Sequence, residues 1–247
     1  NFFEIFFRFS YKLCDSCIKR SVITRVMEKK FITVDKPVGM TSFNVVKKLK
    51  RVFNEKKVGH AGTLDPFASG VLVIGVGKEA TRSISQIQSL EKTYECSIVF
   101  GIATDTYDAY GKITSVCAPK TITVEAIKRV LPLFIGNISQ EPPAFSAKKV
   151  NGQRAYTLAR KGVSVELKKT DVAIYDIEIL SFLERDFPEC CLRVKCSKGT
   201  YIRTLAIDIA KQLGTISYVR DLVRTTIGPY KLDSAVSYSG LDGLCTV

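Results

Sequence analysis

Apolar residues recur along this chain with two different periods, and these periods separate predicted strands from predicted helices. Residues 71–76, VLVIGV, form an uninterrupted apolar run, which predicts a strand buried on both faces. Residues 92–101 alternate in character, so we expect a strand there as well. Residues 42–53 carry apolar side chains at helical spacing, with basic residues on the other side, and Thr41 or Ser42 is the expected N-cap.

The second half of the chain shows the same two periods. Strands are predicted over 172–183 and 191–197, and helices are predicted to begin at Thr123 and Tyr201 and to end near Pro132 and Gly214. The interval 104–111 is rich in turn-forming residues and is predicted to be a loop.

The segment 57–82 joins a glycine-rich loop to the apolar strand and contains the only histidine, His60. Gly59 and Gly62 permit backbone angles that a side chain would forbid, so a tight loop is expected from His60 onwards. The proline after Asp65 favours an extended conformation for that aspartate. Asp65 is therefore expected on a rigid loop just before a buried strand, where a reactive carboxylate would be held in place. A purely structural turn fits the same spacing equally well.

The charge balance of the chain points towards a polyanionic partner. Lys and Arg number 37 against 24 Asp and Glu, a formal charge of +13 in 247 residues. Such an excess favours nucleic acid, with a generic basic surface as the alternative. Residues 142–162 interleave basic and aromatic side chains, which suits phosphates and bases, with a solvated loop and short helix as the alternative.

No apolar run reaches about 18 residues, so a membrane-spanning helix is excluded.

The eight cysteines do not form a metal-binding pattern. Only Cys14 and Cys17 have CxxC spacing, and with no second pair and a single distant histidine a zinc site lacks ligands. We also find no phosphate-binding loop or dinucleotide fingerprint, so no cofactor is expected. Four cysteines in apolar or alternating runs are expected to be reduced core residues of a cytosolic protein, namely Cys96, Cys190, Cys191 and Cys196.

Five segments, in order, resemble the TruB-type tRNA pseudouridine synthases. They are VDKPVGMTS (34–42), KVGHAGTLDPFASGVLVIGVGKEATR (57–82), KTYECSIVFGIATDTYDAYG (92–111), PPAFSAKKVNGQRAYTLARKG (142–162) and CSKGTYIRTLAIDIAKQLG (196–214). Later in the chain, Leu222 and Arg224 stand where the family has a Leu and an Arg, whereas Val223 replaces what is usually a second Arg. Five ordered matches are far more specific than a lone GxLDP.

The resemblance implies an α+β pseudouridine synthase fold, with a mixed, mainly antiparallel central sheet flanked by helices and an RNA-gripping insertion. Residues 27–247 are expected to form the catalytic domain. Residues 1–26 precede the matching region and are interpreted as a leader outside the native fold, with Met27 as the natural start and an organellar presequence as the alternative. Relatives commonly carry a further PUA-type RNA-binding domain, for which no matching segment is found.

The resemblance also implies an activity, the cofactor-free isomerisation of uridine to pseudouridine in the T loop of tRNA. The target base is expected to be flipped into a pocket, where Asp65 is the catalytic residue. Six further residues are expected to bind the substrate: His60, inserted into the opened loop; Tyr94, stacked on the base; Tyr201 and Leu222, lining the pocket; Arg203, paired with Asp65; and Lys149, in the insertion.

The expected partner is the tRNA T stem-loop, bound by a cytoplasmic monomer without a membrane or a guide RNA. One alternative is an RNA chaperone that folds tRNA and for which catalysis is secondary. The combination of Asp65, Tyr94 and Arg203 argues against a purely binding protein. The other alternative is a guide-RNA-dependent synthase resembling dyskerin, and the missing C-terminal domain argues against it.

Overall fold

A mixed sheet of ten strands forms the centre of the molecule in the computed structural model, which describes residues 31–117, 122–146, 148–150, 153–154 and 167–245. The predicted leader, with Cys14 and Cys17, lies outside the described residues. Most of the 142–162 insertion after residue 150 lies outside them as well. The expectations for these segments therefore stay predictions.

The strands pair mostly antiparallel. In chain order they are β1 Phe31–Lys36, β2 Val58–His60, β3 Ser69–Val76, β4 Lys92–Phe100, β5 Ile102–Thr104, β6 Ile113–Val116, β7 Gly136–Gln140, β8 Lys149–Val150, β9 Gln153–Arg154, β10 Thr170–Leu183, β11 Glu189–Cys196, β12 Ser217–Ile227, β13 Tyr230–Lys231 and β14 Val236–Ser237. The main sheet has the order β14-β1-β3-β12-β4-β11-β10-β7, with β2 on β3 and β13 on β12. Only the β1–β14 and β3–β12 pairs of this sheet are parallel. The predicted α+β fold with a mixed, mainly antiparallel sheet is confirmed.

Four α-helices lie among the described residues, and three of them were predicted. They are α1 Ser42–Val52, α2 Lys78–Ser89, α3 Val124–Val130 and α4 Ile202–Gln212. Thr41 caps α1 by accepting a hydrogen bond from the Asn44 amide at 3.2 Å, and Thr123 caps α3 in the same way. A short 3-10 helix containing Pro132 replaces α3 after Val130, so the proline ends the helix. None of the described helices has the length and apolar composition needed to cross a membrane.

Helix α2 was not predicted, because its sequence, KEATRSISQIQS, offers few apolar positions. Ala80 and Ile87 are buried, and Ile84 is partly buried against the apolar cluster that contains Ile87. This narrow apolar stripe covers one face of β3, whose own buried residues Val71 and Val73 belong to that cluster. The apolar run of β3 is therefore buried on both faces, as predicted, by α1 on one side and α2 on the other.

The loop expected at His60 begins later than predicted. His60 ends strand β2, where it pairs with Ile74 of β3. Gly59 is also in the strand and packs closely on α2, since an added Cβ would lie 2.8 Å from Cδ1 of Ile84 and would require that side chain to shift. Gly62 does have the positive φ that was expected, at +92°. The loop therefore runs from Ala61 to Ala68, with a turn at Pro66 and Phe67 in which the Ala68 amide donates to the Asp65 carbonyl at 3.1 Å.

The largest apolar cluster lies between α4 and the strands β4, β11 and β12. Cys96, Cys190 and Cys196 are buried in it and free of disulfides, as predicted. Cys191 is an exception to the predicted core positions, because its side chain points to the opposite face of β11 and is only half-buried. The cluster also contains Leu64 and Tyr94, so the core leads directly to the loop that carries Asp65.

Candidate active site

Asp65 lies on a turn that is tied to the loop before α1. The Ser42 hydroxyl donates to the Leu64 carbonyl at 3.1 Å and accepts from the Leu64 amide at 2.9 Å. The Gly39 amide donates to the Pro66 carbonyl at 2.8 Å. These three bonds flank Asp65 on both sides along the chain. The backbone of the carboxylate is therefore held by a segment more than twenty residues away in sequence.

Arg203, in the first turn of α4, forms an ion pair with Asp65. Its Nη2 lies 2.7 Å from Asp65 Oδ2, and its Nη1 lies 3.5 Å from Asp108 Oδ2. The same two nitrogens donate to the carbonyls of Thr106 and Phe145 at 2.8 and 3.0 Å. The Arg203 side chain is 4% exposed and that of Asp65 is 36% exposed. The guanidinium is thus immobilised, while the carboxylate keeps a face towards the open pocket.

Asp108 is a buried acid that the sequence analysis did not select. Its Oδ1 accepts from the Thr106 hydroxyl at 2.7 Å and from the Tyr110 amide at 3.0 Å. Burial raises the pKa of Asp108, although the Thr106 hydrogen bond and the charge of Arg203 oppose that rise. The turn-rich segment 104–111 gave no sign of this burial, since aspartates in turns are usually solvated.

Lys36 and Arg224 are two further buried cations near Asp65, and neither was among the site residues predicted from the sequence. The Arg224 Nε donates to the Val71 carbonyl at 2.7 Å and its Nη2 donates to the Gly62 carbonyl at 3.1 Å. The Lys36 ammonium donates to the carbonyls of Pro37 and Met40 at 2.9 and 2.8 Å. Burial lowers the pKa of Lys36 to about 8, against the opposing attraction of the Asp65 charge.

A cavity of about 520 Å³ opens beside Asp65. Its walls include Tyr94 from β4, Tyr201 and Arg203 from the start of α4, and Leu222 from β12. Burial raises the pKa of both tyrosine hydroxyls above the ordinary value, so both are neutral hydrogen-bonding groups at pH 7. A cavity of this size lies within the range of about 300–1,000 Å³ for small-molecule sites, and it can hold a nucleobase with its sugar.

Of the two remaining predicted residues, His60 is not among the described residues that line this cavity. His60 is half-buried at the end of β2, and its carbonyl accepts from Gln88 at 3.5 Å. Gln88 itself does line the cavity, so His60 contacts a residue of the cavity wall without being part of that wall. Lys149 is in β8, and its side chain lies outside the described part of the structure.

The site combines a partly exposed carboxylate, a buried guanidinium beside it and a wall with two neutral phenols. Such a carboxylate can act as a nucleophile or as a base. The described residues contain no group of three or more His, Cys, Asp or Glu side chains placed to hold a metal ion. These side chains can supply acid, base or covalent chemistry at Asp65.

The chain is similar to a known protein family and to several named bacterial proteins. Residues 50–202 match the family described as TruB family pseudouridylate synthase (N terminal domain). The chain is 43% identical over 211 residues to tRNA pseudouridine synthase B of Dehalococcoides mccartyi, an alignment that covers 85% of the chain and 69% of that relative. It is 44% identical over 209 residues to the protein of the same name from Syntrophomonas wolfei, with 84% and 69% covered.

Solved structures with a similar fold include a Cbf5–Nop10–Gar1 complex. The TM-score is 0.67 and the identity 28%, with 90% of this chain and 56% of the Cbf5-complex chain covered. A second is an H/ACA ribonucleoprotein bound to a substrate RNA containing 2′-deoxyuridine, with a TM-score of 0.63, 26% identity and coverage of 90% and 55%. The chain thus spans little more than half of the length of these structural relatives.

Proposed function

Because this chain belongs to the TruB family of pseudouridylate synthases, we propose that it isomerises uridine to pseudouridine in the T loop of tRNA. The observation that carries this proposal is the ion pair between Asp65 and Arg203 at the edge of a nucleoside-sized cavity. The names of the bacterial relatives, tRNA pseudouridine synthase B, support a tRNA substrate. The +13 charge of the chain suits a polyanion.

The target uridine is flipped out of the RNA into the cavity before reaction. A stacked base cannot bring its glycosidic bond to a recessed carboxylate, so extrusion is required. Tyr94 is 8% exposed and Leu222 is 7% exposed, and both line the cavity. Tyr94 stacks on the flipped base, whereas Leu222 and Tyr201 complete the walls. Apolar and aromatic walls suit an uncharged heterocycle.

The reaction is an isomerisation and needs no cofactor. The N1–C1′ bond breaks, the base rotates, C5 bonds to C1′, and the C5 proton is lost while N1 gains one, so atoms and electrons balance within the substrate. Asp65 supplies the nucleophile or the base for this sequence. Arg203 keeps the carboxylate oriented through the 2.7 Å contact and is itself held by the Thr106 and Phe145 carbonyls.

His60 and Lys149 act on the RNA outside the cavity. His60 lies behind the rim formed by Gln88, where it can fill the space that the flipped base leaves. Lys149 lies in the insertion and binds the phosphate backbone, which contributes affinity without reading sequence. The protein works as a cytoplasmic monomer without a guide RNA. An alternative is a tRNA-folding chaperone in which catalysis is secondary.

Release of tritium from C5-labelled uridine tests this proposal directly. Unmodified tRNA with tritium at C5 is incubated with the protein and no other RNA, and a matched transcript with the T-loop uridine replaced by cytidine is the control. We expect release from the first substrate and none from the second. Release that appears only when a guide RNA is added, or binding of both transcripts with no release at all, would contradict the proposal.

A further inference from the structure

Several exposed apolar side chains lie on segments next to the Asp65 turn, outside the cavity. Val38 is 56% exposed, Phe43 is 64% exposed and Tyr110 is 59% exposed. The first two belong to the loop and helix start that bond to the residues flanking Asp65. Exposed apolar side chains grouped beside a reaction site usually mark a surface that another molecule covers.

Tyr110 is the best-defined member of this group. Its ring lies 6.4 Å from the ring of Phe67, centroid to centroid, at an interplanar angle of 59°. Phe67 is only 4% exposed and follows Asp65 by two residues. A Cβ added to Gly39 would lie 3.9 Å from the Tyr110 hydroxyl. The Tyr110 ring is therefore supported by the Phe67 ring and the turn at Gly39, while more than half of the residue is exposed to solvent.

The backbone of Tyr110 is held by the same network that holds Asp65. The Tyr110 amide donates to Asp108 Oδ1, and the other oxygen of that carboxylate faces Arg203. Three contacts thus join Tyr110 to the catalytic acid through Asp108 and Arg203. The ring is consequently presented at a defined position relative to the cavity, which a side chain on a mobile loop could not achieve.

We propose that Tyr110 is a stacking platform for an unpaired nucleobase next to the flipped uridine. This inference rests on the proposed function and deepens it. Tyr110 is not among the residues that line the cavity, so its ring serves a neighbour of the target and not the target itself. Stacking on an aromatic ring is tolerant of sequence because every base has a π-face.

The overall charge of +13 and the exposed Lys112 favour RNA over an apolar protein partner, although Asp105 is also exposed on this loop. Lys112 follows two residues later with an exposed side chain, and its amide is fixed by Asp105 at 2.8 Å. An aromatic ring with a nearby cation matches a base with its own phosphate. A protein partner would cover the patch without any dependence on unpaired bases, and the experiment below separates the two.

The test compares three variants by binding and by fluorescence. Tyr110→Ala removes the ring, Tyr110→Phe keeps it, and Tyr175→Ala removes a tyrosine of similar exposure, 51%, on β10. Unmodified T stem-loop RNA carries 2-aminopurine, in separate molecules, at the unpaired positions on either side of the target uridine. We expect Tyr110→Ala to weaken Kd about fivefold or more, with Tyr110→Phe and Tyr175→Ala within about twofold of wild type.

The fluorescence distinguishes stacking from a structural role of the ring. One of the 2-aminopurine probes should be quenched by wild type and by Tyr110→Phe, and that quenching should disappear with Tyr110→Ala. Thermal melts of all variants identify any loss of folding. If the wild type releases tritium and Tyr110→Ala shows the same Kd and the same quenching as the wild type, this inference alone is overturned. A wild type that binds but releases no tritium would instead overturn the proposed function.

Discussion

Among the arginines that each bridge two carboxylates, Arg203 lies in the wall of the cavity and Arg193 lies on the exposed face of the sheet. Arg203 contacts Asp65 and Asp108 with a side chain that is 4% exposed. Arg193 on β11 contacts Glu95 at 2.9 Å and Glu178 at 2.6 Å, with a side chain that is 44% exposed. Each arginine contacts two carboxylates, and the two side chains differ most in burial.

Burial changes what each bridge does. Water and salt screen an exposed ion pair, which therefore contributes little to stability. A buried guanidinium loses its hydration and must be satisfied by protein groups, and Arg203 accordingly takes two backbone carbonyls as well as two acids. Removing the exposed arginine leaves solvated glutamates, whereas removing the buried one leaves Asp108 unpaired. The comparison predicts a steep order of effects.

The largest effect should come from Asp65→Asn, which tests whether the carboxylate at the buried bridge takes part in the reaction. Single-turnover conversion of unmodified tRNA should fall to background, because the change removes the only acidic side chain proposed to react. Affinity, measured by filter binding, should stay within about tenfold of wild type, since phosphate contacts dominate it. Glu178→Gln, at the exposed bridge, is the control and should keep full turnover. Appreciable conversion by purified Asp65→Asn would mean that Asp65 is not the reacting group.

The next effect should come from Arg203→Ala, with Arg193→Ala as its matched control. We expect the buried change to lower the free energy of unfolding by about 3–5 kcal/mol, because it leaves a buried carboxylate uncompensated, and to remove activity as well. Urea unfolding at pH 7 measures the loss. If Arg203→Ala unfolds at the wild-type midpoint, the two bridges are equivalent and the role assigned to burial is wrong.

A third prediction concerns Lys36, a buried cation whose ammonium donates to the carbonyls of Pro37 and Met40. Its pKa in the folded protein is about 8, below the ordinary 10.5, so the unfolded chain binds the extra proton between these values. Stability contributed by this group must then rise with pH across that window. The difference in unfolding free energy between wild type and Lys36→Met should shift in favour of wild type by about 1–3 kcal/mol from pH 8 to 10.5.

The measurement is urea unfolding under reducing conditions at several pH values. Lys92→Met gives a second case, because burial also lowers the pKa of Lys92 to about 8 and its ammonium donates to the carbonyls of Gln88 and Leu90. A difference between wild type and Lys36→Met that stays flat across the window would show that the Lys36 ammonium is hydrated in solution.

The smallest effect should come from Arg193→Ala. At both low salt and 1 M salt we expect no resolvable change in thermal midpoint, because exposed pairs are screened and their long side chains lose entropy on pairing. Differential scanning calorimetry of the variant and wild type at the two salt concentrations provides the check. A clear loss at low salt that vanishes at high salt would show that the exposed bridge is a stabilising network.

Sequence patterns were sufficient where a local rule determines the structure. The Thr41 and Thr123 caps, the end of α3 at Val130 just before Pro132 and the buried strand β3 all follow from residue chemistry within a few positions. Helix α2 was missed because a narrow apolar stripe is enough when the partner strand is wholly apolar. His60 was placed in a loop because glycine suggests a turn, whereas Gly59 lies in β2 and packs closely against Ile84 of α2.

The interior of the site was harder to predict. Asp65 and Arg203 could be paired through resemblance, but nothing local marks Lys36 or Asp108 as buried. A charged residue becomes buried when carbonyls and counter-charges from other parts of the chain converge on it, as those of Pro37 and Met40 do on Lys36. Arg224 lies two residues after Leu222 in β12 and therefore faces the same side of the sheet. That alternation is the one sequence signal that could have predicted the burial of Arg224.

The place of β12 in the sheet has a consequence for how the protein is made. This strand lies between β3 and β4, although more than one hundred residues separate β4 from it in the chain. A growing polypeptide therefore completes both neighbours while the strand that joins them has yet to be synthesised, an interval on the order of ten seconds at usual translation speeds. During that time two apolar strands offer open hydrogen-bonding edges, the type of edge that promotes aggregation. Nascent chains halted before residue 217 should thus depend strongly on chaperones.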